Sequence, residues 1–150
     1  MSALTMAGLR QAVAARIAGL GGTWNQAPVP FDAHSWSAVP EAVPASKAHL
    51  SFSLGMGVTR AVGNRHRTLD GVRCETELPV RFLARLVPGT VLASLDVALG
   101  FEVDLIKRLD SQWSPNVLCS WLRSERVSAP TGEWFRSDCV FTVGHLLALA

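Results

Sequence analysis

Four histidines (His34, His49, His66 and His145) and three cysteines (Cys74, Cys119 and Cys139) are the residues best suited to hold a metal or attack a substrate. No histidine stands three or four positions from another histidine or a cysteine, and no Cys-x-x-Cys pair occurs. The spacing that gathers metal ligands on one helix face or turn is therefore missing. A Gly-x-Ser-x-Gly elbow, a phosphate-binding Gly-x-x-x-x-Gly-Lys loop and a His-Glu-x-x-His helix are also missing from the sequence. Gly55-Met56-Gly57 lacks the third glycine and the helix of a dinucleotide loop, and reads as a twisted or bulged strand. Glu75 and Glu77 share a strand face with Arg73, Arg81 and Arg85. Neighbouring cations lower a carboxyl pKa, the wrong direction for a general acid. Catalysis would need His49, His66 or Cys74 to meet an acid in a cleft. The expectation is a protein that is not an enzyme and takes no cofactor or metal.

The remaining polar constellation is cationic. Arg60, Arg65, Arg67 and Arg73 cluster in and beside a basic loop. A guanidinium fork can clasp carboxylates or phosphates, so the loop is a solvated turn, a contact for an acidic partner protein, or a nucleic-acid backbone contact. Fourteen basic residues against twelve acidic ones leave a formal net charge of only +2, which gives little support to nucleic acid. The aromatic residues that would stack bases are not interleaved with these arginines. Aromatic residues concentrate elsewhere. Trp24, Phe31 and Trp36 sit in a stretch with Pro28, Pro30, Pro40 and Pro44. They either pack back on the chain's own core or dock on a neighbour. Trp113, Trp121 and Trp134 fall among the later strands, where core packing competes with interface use.

The elements that position these residues follow from periodicity. At 150 residues and 49% hydrophobic content, the chain is read as one soluble domain spanning 1–150 with a sizeable core. The three cysteines, odd in number and widely spaced, read as reduced buried thiols of a cytosolic protein. No apolar run reaches the roughly 18 residues of a membrane span. Arg10 and Arg16 make the N-terminus a poor secretory signal. Met6, Leu9, Val13, Ile17 and Leu20 define a first helix, stopped by Gly21 and Gly22. An irregular Pro-rich arm covers 23–47. Alternation predicts a strand from Ala48 to Val58, with Leu50, Phe52, Leu54, Met56 and Val58 on one side. It predicts a second from Val72 to Leu86, pairing with the first as a long hairpin. Pro79 marks a bulge or an edge there. A second helix runs from about Val91 to Asp110, with an apolar stripe of Leu92, Leu95, Leu99, Val103, Ile106 and Leu109. Gly100 in its middle points to close packing against a sheet. Strands at Val117–Ser128 and Trp134–Leu147 complete the chain. The fold class is α+β: an antiparallel sheet of about four strands, as two hairpins, with two helices packed on it.

This succession resembles the tail terminator, or tail-tube completion, proteins of long-tailed bacteriophages and related gene transfer agents. Leu78-Pro79-Val80-Arg81-Phe82-Leu83-Ala84-Arg85-Leu86, followed by the helix from Asp96 to Leu109, carries the resemblance most clearly. It implies a virion protein of the tail or neck, assembled in the host cytoplasm, that caps the tail tube and stops its polymerisation. It implies a homo-oligomeric ring, typically a hexamer, whose partners are other copies of itself, the tail tube protein and a head-completion or connector protein. DNA would only pass through the lumen, and no membrane is involved. Arg60, Arg65, Arg67 and Arg73 on the loop, Trp24, Phe31 and Trp36 on the arm, and Glu75, Glu77, Arg81 and Arg85 on the charged strand face are the candidate assembly contacts. Another head-tail connector or minor tail protein is the alternative in the same class. A small nucleic-acid-binding module using the hairpin arginines is the alternative outside it.

Overall fold

The computed structural model describes residues 3–20, 24–27, 48–55, 57–62, 67–68, 71–128 and 133–148. Helix α1 (Met6–Ala18) opens with Thr5 as N-cap, its hydroxyl accepting from the Gly8 amide at 3.0 Å. Leu9, Val13 and Ile17 are fully buried along one side, the expected face. Gly21 and Gly22 lie outside the described residues.

Among the described residues, eight strands form one sheet: β1 (Asn25–Gln26), β2 (Ser51–Leu54), β3 (Thr59–Ala61), β4 (Arg67–Thr68), β5 (Gly71–Arg85), β6 (Ser111–Ser114), β7 (Val117–Ser128) and β8 (Trp134–Leu147). The spatial order is β1-β2-β5-β8-β7-β6, with β3 and β4 continuing the β2 side of β5. The expected four antiparallel strands are thus only part of the sheet. Pairings through β2, β5, β8 and β7 are antiparallel, but β1 adds to β2 in parallel, so the sheet is mixed. The extra strands are two to four residues long, too short to show a period. The central ladder between β5 and β8 pairs every residue from Val72 with Leu147 to Arg85 with Trp134.

Pro79 sits in the middle of that central strand. Its carbonyl accepts from the Gly55 amide at 2.9 Å, so its missing donor faces the β2 side and not β8. There the sheet bulges. Leu54 pairs with Val80, but Thr59 pairs with Thr76, so the β2–β3 side carries one residue more than β5 opposite it. A one-residue slip turns each following side chain over. Thr59 enters the inner face, and Val58, expected on the core side, is 66% exposed on the other. A Cβ on Gly55 would lie 2.9 Å from the Pro79 ring, which is why glycine serves at this crossing.

One face of the sheet, the inner face, holds the core. Phe52, Leu78, Val80, Phe82, Phe135, Phe141 and Val143 pack there against α1 and helix α2 (Val91–Leu109). Trp24 belongs to this core, 6% exposed and edge-on to Phe82 at 5.0 Å between ring centres. The two helices meet at their C-termini. Arg108 Nε donates to the Arg16 carbonyl at 2.9 Å, and the Arg16 guanidinium stacks over Trp113 at 4.8 Å. The same junction satisfies a carbonyl that a helix end leaves without an intrahelical partner.

Helix α2 is rotated from the expected stripe. Ala98, Glu102, Leu105 and Leu109 are buried and Leu95, Leu99 and Ile106 of the expected stripe pack partly against the core, while Leu92 is 77% and Val103 46% exposed. The cause is Glu102, whose carboxylate reaches partners on the sheet and draws its side of the helix inward. Gly100 consequently faces outward, with nothing within 4 Å of where its Cβ would stand. Packing against the sheet does not account for it, and it costs about 1 kcal/mol relative to alanine. No helix among the described residues is long and apolar enough to cross a membrane.

Candidate functional site

The hairpin of β2, β3 and β5 carries the predicted charged residues on the outer face of the sheet, opposite the helices. Register sets Arg60 against Glu75, and Arg60 donates to the Glu75 carboxylate at 3.1 Å. Beside them on β5 lie Arg73 and Glu77. Arg81 is a different case. It approaches Asp138 at 3.4 Å with its side chain only 17% exposed, and Asp138 also accepts from the nearly buried Arg136 at 2.9 Å. Arg81 is therefore largely committed within the chain, and Arg85 stands exposed at the strand end.

Val58, Arg60, Glu75, Glu77, Leu122 and Thr142 line one depression of about 280 Å³ on this face. Its walls come from both sides of the sheet, because the β3 side and β7 are separated by β5 and β8. A second bulge, between Trp121 and Arg123, places Leu122 outside the regular ladder and leaves it 49% exposed. Leu118, further along β7, is 53% exposed.

The remaining candidates divide. Trp24 packs into the core, not onto a neighbour. Phe31, Trp36 and Arg65 lie outside the described residues, and Arg67 is described only as backbone in β4, paired with Val72. Among the later tryptophans, Trp113 donates to the Leu109 carbonyl at 2.9 Å, whereas Trp121 is 42% exposed.

Two polar chains, unanticipated from sequence, run on the inner face, each from a buried residue to an exposed one. In the first, Glu102 on α2 is 2% exposed and accepts from Arg126 Nε at 2.9 Å and Nη2 at 2.5 Å. Ser137 donates to the same carboxylate. The signal for it was a lone carboxylate at the spacing Ala98–Glu102–Leu105–Leu109, one side of the helix. In the second, Thr59, Thr76 and His145 join hydroxyl to hydroxyl at 2.8 Å and hydroxyl to Nε2 at 2.7 Å.

Cys139 touches Ser124 and Ser137 at 3.4 and 3.3 Å, but burial pushes its thiol pKa up, and burial takes Cys119 to about 12. A thiol held protonated is a poor nucleophile. His49 accepts from the Arg85 amide at 3.0 Å and lies edge-on to Phe101 at 5.6 Å, with no acid acting on it among the described residues. No three metal-ligating side chains converge among the described residues.

His145 gives a pH prediction. Burial holds its pKa below the ordinary 6.5, the Leu146 backbone opposing in part. The unfolded chain therefore binds the proton more readily, so stability is full above about pH 6.5 and falls as pH drops below it. Urea midpoints measured from pH 7.5 to 5 should show this slope, and His145→Gln should flatten it. His49, which burial and then Arg85 shift the same way, contributes slope that the variant retains. An unchanged slope in the variant would mean His145 is protonated inside the fold.

No protein-family model matches the sequence, and no curated protein matches it. Among solved structures, the chain is similar to one in a structure described as the virion of a native gene transfer agent particle. The TM-score is 0.48 and the sequence identity 15%, with 92% of this chain and 94% of that chain covered. A likeness at that level carries no inference about function.

Proposed function

We propose that this chain is a non-catalytic structural component of a virion-like particle, a tail terminator that caps the tail tube as a homo-oligomeric ring. The observation that supports it best is the succession and placement of the elements. An opening helix, strands β2 and β3 paired with β5, a helix laid across the sheet and a final antiparallel pair follow one another here, as in the proteins the sequence resembles. The exposed surface adds to this. Val58, Leu118 and Leu122 on the outer face, and Leu92, Val97 and Val103 on α2, are large apolar side chains left at 46–77% exposure. Groups of such residues on two sides of one small domain suit a protein whose working state is an assembly. In this reading its partners are further copies, six to the ring as the resemblance implies, together with the tube protein and a head-completion protein. DNA passes through the lumen without being read, and assembly takes place in the host cytoplasm.

The nucleic-acid reading has weaker support. Arg60 is tied to Glu75 and Arg81 lies against Asp138, so two of the hairpin arginines are engaged within the chain. The deciding experiment is solution mass across concentration, with and without tail tubes. A ring-sized oligomer, or binding at tube ends that halts growth, is expected. A chain that stays monomeric throughout and ignores tube ends would overturn the reading, and steep salt-dependent binding of DNA would replace it.

A further inference from the structure

Helix α2 and the outer sheet face lie on opposite sides of the molecule, the sheet between them. At 100° per residue, Ala93, Asp96, Gly100 and Lys107 run along the ridge of α2 most remote from the core. Leu92 and Val103 flank the ridge on one side, Val97 and Asp104 on the other. Gly100 leaves open space above the backbone at its centre, which lets another surface approach closely. None of the described residues uses that opening.

The outer face offers the counterpart. Its depression has Glu75, Glu77 and Thr142 on the floor and Val58 and Leu122 as apolar walls, with Arg60 at the rim. The charges correspond. On the ridge, Asp96, Asp104 and Lys107 are exposed and have no ion pair among the described residues. On the sheet face, Glu77 is likewise unpaired among the described residues, and so are the exposed Arg73 and Arg123. A cation on the ridge meets a carboxylate in the depression, and ridge acids meet arginines around it.

We infer that α2 of one copy docks along the outer-face depression of the next, through Val97, Gly100 and Val103 on one side and Val58 and Leu122 on the other. This rests on the ring reading and names its contact. Because the two surfaces differ and lie on opposite sides, the contact is heterologous, and repetition closes a ring if the rotation closes. The same patch on both partners, as in a two-fold dimer, is excluded.

The test uses two exposed positions. Val97→Asp spoils the ridge and Leu122→Asp spoils the depression, and unchanged melting of each isolated chain verifies the fold. Each alone should raise the concentration for half-assembly by about tenfold or more, as loss of a central interface residue does. Mixed, they retain one good ridge and one good depression, and should form a one-to-one heterodimer that grows no further. Gly100→Ala should melt higher than the native chain yet assemble more weakly.

Native rings with both Asp variants still assembling would overturn this contact and leave the ring reading standing. Two assembly-defective variants that stay monomeric when mixed would overturn it as well, since ridge and depression then do not meet each other. A native chain that neither assembles nor caps tubes would remove the ring reading, and this contact with it.

Discussion

Replacing Arg126 by methionine is expected to destabilise the fold by about 3 kcal/mol, the lower end of the cost of stranding one partner of a buried ion pair. Glu102 is 2% exposed, and its carboxylate is held by the Arg126 fork and the Ser137 hydroxyl. Without the guanidinium, a carboxylate remains in the interior with one neutral donor. The estimate takes the lower end because the Arg126 side chain is 47% exposed, so water can enter where it stood. Arg60→Met is the control. Its pair with Glu75 is a single contact at 3.1 Å with the Arg60 side chain 75% exposed, and loss of such a pair costs at most about 1 kcal/mol. Urea midpoints of the two variants, compared at neutral pH, decide the matter. The double replacement Glu102→Leu with Arg126→Met should recover most of the loss, because removing both charges leaves nothing stranded. Equal costs for Arg126→Met and Arg60→Met would mean that Glu102 is hydrated and does not hold α2 to the sheet.

That ion pair also shows why part of the fold was legible in the sequence and part was not. Strands β7 and β8 begin and end where their alternation predicts, and β5 is displaced by one residue, from Val72–Leu86 to Gly71–Arg85. Alternation is a local property that a long strand buried on one face cannot avoid. The rotation of α2 is not local. Leu92 and Val103 are as apolar as the residues that are buried, and only the partners of Glu102, 24 and 35 positions away, decide which side turns inward. Val58 was misplaced for a related reason. Its side of the strand depends on one extra residue opposite Pro79, and the proline announces a bulge without saying how many residues it takes up. Among the candidate contacts, the sequence placed Glu75 and Glu77 on one face with the arginines. It did not show that Arg81 is committed to Asp138 while Leu118 and Leu122 stand exposed nearby. Of the arm's three aromatic residues only Trp24 falls within the described residues, and beside it Asn25 and Gln26 form β1 where an irregular stretch was expected.

Gly71→Ala should cost about 3 kcal/mol or more, through backbone strain and overlap together. Gly71 reads from sequence as one more small residue of a polar loop. In the fold it is the first residue of β5, with φ at +154°, and a Cβ built on it would stand 2.2 Å from the Leu147 carbonyl oxygen and 2.9 Å from its carbon. Neither atom belongs to a side chain that can swing away. Both lie in β8, which Leu4 also joins there: its amide donates to the Leu146 carbonyl at 2.8 Å, and its carbonyl accepts from Ala148 at 2.8 Å. Alanine must therefore push apart the corner where β5, β8 and the segment entering α1 meet. In a chain of this size, 3 kcal/mol corresponds to a melting temperature lower by about 6–12 °C. Gly144→Ala is the matched control. It lies in the same strand as Leu147, three positions away, but its Cβ would meet only the Leu118 carbonyl oxygen at 3.8 Å, an ordinary contact. That variant should stay within about 0.5 kcal/mol of the native chain. Should the two variants melt together, the close approach of Gly71 to Leu147 would not exist in solution, and the hairpin would join β8 in a different way at that end.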